Sequence, residues 1–86
     1  MPEISRFNGI IIKMFPGDHA HAHFHAEFAE WKATFLIGSL ELDEGGLPVA
    51  AARLVKRWAK MHQAELRDNW KLVEAGKPPT KIQPLE

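Results

Sequence analysis

The chain contains no cysteine. Disulfides, thiolate nucleophiles and thiolate metal sites are therefore all excluded, and any metal ion would have to be held by imidazole and carboxylate. It also has no net charge: eleven Lys and Arg stand against eleven Asp and Glu, so no overall field draws in nucleic acid. No stretch approaches the ~20 apolar residues that cross a bilayer. The N-terminal MPEISRF lacks the basic-then-apolar layout of a secretory leader. Repeats and low-complexity tracts are absent as well. The expectation is a cytoplasmic protein of a bacterium-like cell, without a membrane role.

What remains is an ordinary globular balance, 45% hydrophobic and 26% charged over 86 residues. One domain spanning 1–86 is expected, with a small core, because a chain of this size buries only ~60–65% of its unfolded surface. The zero net charge conceals an asymmetry. Residues 1–44 carry three basic and seven acidic groups and residues 45–86 carry eight and four, so the halves are −4 and +4.

The first half reads as strands, over roughly 4–44. GIIIKMF, from Gly9 to Phe15, is β-branched and apolar, and Pro16-Gly17 supplies a turn. Next, strict alternation places His23, His25 and Glu27 on one face of a strand and Ala22, Phe24, Ala26 and Phe28 on the other. Trp31 to Leu36 alternates in the same way. Gly38-Ser39 marks a bend, bulge or hairpin before a short strand around Leu40 to Leu42, and DEGG closes the sheet region.

The second half reads as one helix over roughly 48–75, from Pro48 at a first helical position to Gly76 and the two prolines that stop it. A rod of about 28 residues is ~42 Å long, whereas a compact chain of this size is only ~30 Å across. The helix should therefore overhang the sheet and leave Trp70, Leu72 and Val73 to be covered by Lys81-Ile82-Gln83-Pro84-Leu85 of the tail 76–86, a second copy or another protein. At ~100° per residue, Ala51, Leu54, Val55, Trp58, Leu66 and Val73 share an arc with His62, Glu65 and Asn69. Arg53, Lys56, Arg57, Lys60, Arg67 and Lys71 fill the opposite third as a basic ridge suited to solvent, RNA or an acidic partner. No aromatic lies among them to stack a base.

Four of the five histidines, His19, His21, His23 and His25, occupy alternate positions in DHAHAHFHAEF. On a strand, i and i+2 side chains share a face ~6.5–7 Å apart, near enough for His23 and His25 to converge on one divalent transition metal such as zinc. The third ligand would come from His19, Glu27, His62 or Glu65. A metal-free alternative uses the same histidines beside Lys13 or Glu65 as general acid and base in RNA cleavage. A third reading makes them a structural or solvated set, with His62 a core histidine bonded to a backbone carbonyl or to a carboxylate such as Glu65, and with Trp58 and Trp70 as packing anchors.

PEISRFNGIIIKMF, DHAHAHFHAEF, GGLP and ELRDNWKLVEAGKPPTKIQPL together resemble a family of short bacterial proteins catalogued as a domain of unknown function, numbered four-one-six-zero. The resemblance covers nearly the whole chain. It implies a small antiparallel sheet followed by a long helix, and gene neighbours that suggest a toxin–antitoxin-like pair. Asp18, His19, His23, Phe24, His25 and Ala26 agree with the family's signature, while His21 and Ala22 stand where it has prolines, which makes His21 incidental.

The sequence thus predicts an α+β domain of three or four antiparallel strands with a long C-terminal helix on one face. Its expected site is His19, His23 and His25 with Lys13 and Glu65, acting on RNA within a complex with a cognate protein. The rival expectation is a non-enzymatic interaction or metal-binding module that dimerises through the C-terminal half of its helix.

Overall fold

A computed structural model describes residues 3–16 and 21–85. The site residue His19, and Asp18 beside it, lie outside the described residues. Five strands, β1 (Glu3–Phe7), β2 (Ile10–Lys13), β3 (His23–Phe28), β4 (Trp31–Leu36) and β5 (Leu42–Gly45), form an antiparallel sheet in sequential order. Two helices follow, α1 (Val49–Met61) and α2 (Gln63–Glu74). The α+β class and the single antiparallel sheet agree with the sequence reading. The count of three or four strands and the single helix do not.

β1 is the added strand, and the short strand expected around Leu40 to Leu42 lies further along, at Leu42–Gly45; both differences have local causes. Asn8 and Gly9 adopt φ of 52° and 78° between the paired residues Phe7 and Ile10, which makes the two-residue turn that joins a right-twisted hairpin. Asn-Gly is the strongest short hairpin signal, and it marks EISRF as β1. At the other edge, every residue of β5 is exposed, so no alternation betrays it. DEG, read as the end of the sheet, is its last strand. In β1 an irregularity between Glu3 and Ser5 buries Ile4 and Ser5 together and returns Glu3 and Arg6 to one face. Their ion pair, 2.8 Å, holds the Glu3 carboxyl below its usual range, but Arg6 is exposed and Glu3 only partly buried, so it adds little stability.

One face of the sheet carries the core. Ile10, Ile12, Phe24, Ala26, Ala33 and Phe35 are buried there beneath Val55, Trp58, Leu66 and Val73 of the helices. The Trp58 ring lies 5.5 Å from Phe7 and 6.1 Å from Phe24.

The helical segment bends at His62, whose φ of −118° and ψ of 26° are not helical. Buried positions keep helical spacing across the break: Ala51, Val55, Trp58 and Ala59, then Leu66, Asn69, Trp70 and Val73. The same stripe therefore stays on the core while the axis turns. One or two weakened helical bonds cost ~1 kcal/mol each. Burying Trp70 is worth ~4–6 kcal/mol, so the bend wins. The overhang expected of a straight rod does not occur, and the longest extent of the molecule is 33 Å. Gly76, with φ of 77°, ends α2 by donating to the Val73 carbonyl while Lys77 donates to that of Leu72.

Trp70 and Val73 are 7% and 3% exposed within one chain, and the tail returns across the molecule. Ile82 donates its N–H to the Ile4 carbonyl (2.8 Å), the Trp58 indole donates to the Gln83 carbonyl (2.8 Å), and Asn69 makes three bonds to Thr80. Asn69 thus clamps helix to tail. Replacing it with Ala strands the Thr80 N–H and carbonyl, and urea denaturation of Asn69→Ala is expected to show a loss of ~2–3 kcal/mol.

Candidate functional site

The second face of the sheet is partly open, and the register of three strands builds its centre. His25 in β3 lies between Lys13 of β2 and Thr34 of β4, while Glu27 lies opposite Lys32. Period-two alternation brings all five side chains to one face. Lys13 Nζ stands 3.2 Å from both carboxylate oxygens of Glu27. A groove of about 460 Å³ runs along this face, lined by Phe15, His25, Glu27, Lys32, Thr34 and Glu44. Its charges balance, two carboxylates against Lys32 and the neighbouring Lys13.

His23 and His25 share a face as the alternation predicts, with ring centroids 5.1 Å apart and planes 85° from parallel. Their surroundings differ. His23 is 3% exposed, and its Nδ1 lies 3.0 Å from the His21 carbonyl oxygen. A carbonyl only accepts, so His23 Nδ1 carries a proton and donates it. Its ring also lies 4.9 Å from that of Trp70. His25 stacks on Phe15 at 4.4 Å with planes 5° apart. Its Nδ1 is 3.2 Å from the Thr34 hydroxyl and its Nε2 is buried. Four rings, Trp70, His23, His25 and Phe15, thus form one file that begins on α2 and ends in the groove.

The remaining expected site residues lie elsewhere. Glu65 accepts from His62 Nδ1 at 2.6 Å, and the His62 ring lies 5.6 Å from Trp58 on the core-bearing side. Glu65 therefore joins His62, as the structural reading expected, and not the strand histidines. Among the described residues no three His, Cys, Asp or Glu side chains are placed to hold a metal ion. All six ridge residues are exposed, and among the described residues none forms an ion pair. Arg53, Lys56, Arg57 and Lys60 belong to α1, which covers the face opposite His25, so they do not look onto the groove. Arg67 and Lys71 do flank an aromatic: they line a second groove with Trp70.

Phe15, Thr34 and Trp70 escaped the sequence reading as parts of this constellation. Thr34 was within reach, because pairing the two alternating strands through the short Ala29-Glu30 turn sets it opposite His25. Trp70 was not, since its meeting with His23 depends on the bend at His62. The bonding of His23 has a direct spectroscopic consequence. Long-range ¹H–¹⁵N correlation of neutral His23 is expected to show the Nδ1–H tautomer, the minority form of free imidazole, and an Nε2–H pattern would refute the assignment.

Neither a curated protein nor a solved structure matches the chain. Residues 9–71, well over half of it, match a domain of unknown function, DUF4160. The match runs from the turn before β2 to Lys71 of α2 and so takes in Lys13, His23, His25, Glu27 and Glu65. The chain belongs to the DUF4160 family.

Proposed function

We propose that this protein works as a non-enzymatic interaction module, one member of a toxin–antitoxin-like pair, with its strand histidines serving as a structural spine. The observation that carries this reading is the commitment of the imidazole nitrogens. His23 is buried and donates Nδ1 to the backbone, and His25 has Nδ1 against Thr34 and Nε2 buried. A general acid or base must present a nitrogen within ~2.6–3.2 Å of the proton it moves, and these nitrogens are engaged by the protein or buried in it. The surface suited to a cognate protein is α1, where Arg53, Lys56, Arg57 and Lys60 are exposed with Val49 and Met61, 69% and 66% exposed. Because Val49 and Met61 are the first and last residues of α1, a partner with acidic groups between two apolar ends matches that face.

The second reading keeps RNA as substrate. It is favoured by the groove itself, where Phe15 offers a stacking surface and Lys13 and Lys32 lie within reach of a phosphate. In that case His25 would take the 2′-hydroxyl proton as the oxygen attacks phosphorus, and the P–O5′ bond would break with the 5′-oxygen taking a proton from water, giving a 2′,3′-cyclic phosphate and a free 5′-hydroxyl. A metal-binding variant of the module would draw its third ligand from His19 and would show about one zinc per chain on elemental analysis.

Inducible expression of the chain and of its His25→Ala variant, combined with thermal denaturation, separates these readings. The interaction module predicts no growth arrest by the chain alone and no cleavage of RNA. It also predicts that His23→Ala costs ~2–4 kcal/mol, which lowers the melting temperature by ~10 °C or more, because a buried ring and its bond are lost. Growth arrest that His25→Ala abolishes without loss of folded protein would establish the RNA reading instead.

A further inference from the structure

The second groove, about 490 Å³, lies where α2 passes the turn after β4. Its floor is apolar, from Ala22, Leu36 and Ile37, and Trp70 forms a wall. Arg67 and Lys71 make its rim positive, and among the described residues no carboxylate lines it. The opposite wall is held in place. Gln63 Nε2 donates to the carbonyls of Ile37 (2.7 Å) and Gly38 (3.0 Å), Ile37 N–H to that of Ala22 (3.0 Å), and Leu40 N–H to that of Leu36 (2.9 Å). A preformed groove with an apolar floor and a cationic rim suits an apolar side chain flanked by carboxylates.

The chain itself displays such a segment. Glu41, Leu42, Asp43 and Glu44 are all exposed, and Leu42, at 47%, is one of few large apolar side chains open to water. The segment begins at the groove, since Leu36 N–H donates to the Glu41 carbonyl (2.9 Å). It then runs off as β5, paired to β4, and that pairing prevents it from folding back into its own groove. We infer that the groove receives the Glu41–Glu44 segment of a second copy of this chain. Because segment and groove adjoin, a two-fold axis passing near Ser39 sets each copy's acidic edge on the other's basic rim, and both contacts form together. Association then closes at two chains. The opposed charges of the two halves of the sequence acquire a structural use, and α1 remains open for a different protein.

The test is sedimentation equilibrium of the full chain at ~50 and ~500 mM salt, a range over which exposed charge pairs are progressively screened. A dimer is expected at low salt, with Kd weakened at least tenfold at high salt. Arg67→Glu with Lys71→Glu should be monomeric, and so should Glu41→Lys with Asp43→Lys. An equimolar mixture of these two variants should restore a two-chain species, since each groove again meets a segment of opposite sign, and misfolded protein could not give that recovery. Leu42→Ser, at an exposed position, should weaken the dimer about tenfold without unfolding it. A monomer at low salt, or a dimer unmoved by charge reversal, overturns the inference. So does loss of RNA binding on reversal at Arg67 and Lys71 with the mass unchanged, which would give the groove to RNA.

Discussion

A straight helix from Val49 to Glu74 would be ~39 Å long, more than any dimension of the molecule it has to cover. The bend at His62 resolves that mismatch, and much else depends on it. It keeps Leu66, Trp70 and Val73 on the core and brings the Trp70 ring against His23. It also sets the end of α2 where the tail can return to Ile4 and Trp58. Gln63, the first residue after the bend, ties that point to the backbone of Ile37 and Gly38. A small loss of helical hydrogen bonding thus connects three parts of the chain that are distant in sequence.

The histidines show how one sequence pattern serves two local purposes. Alternation alone puts His23 and His25 on the same face, but their neighbours decide what each can do. His23 meets Trp70 and a backbone carbonyl and becomes part of the interior. His25 meets a threonine hydroxyl, which can donate or accept, and an aromatic ring open to the groove. The lysines and carboxylates around it cancel one another, so the groove is shaped more by packing and register than by field.

Legibility followed the range of the interaction. The faces of β3, the Gly76 stop and the His62–Glu65 bond depend on residues within a few positions of one another, and all can be read along the chain. The Asn8-Gly9 turn was equally local and shows that β1 was legible to a closer look. β5 was legible as a short strand but was expected too early, at Leu40 to Leu42, because an exposed edge strand has no apolar rhythm to fix its bounds. The bend at His62 was out of reach for a different reason. Nothing among its neighbours breaks a helix, and its cause is the size of a sheet made forty residues earlier, which only the assembled fold reveals. The ring file from Trp70 to Phe15 inherits that dependence.

The bond from Ile82 to Ile4 has a consequence for how this sheet behaves toward other sheets. A five-stranded meander has two open rims, and each is a template on which foreign strands can grow. Here the tail lies against one rim, while the other is short and carries Asp43 and Glu44. Lateral growth of foreign strands is therefore opposed on the two sides by different means, a strap at Ile4 and a charge at Asp43 and Glu44.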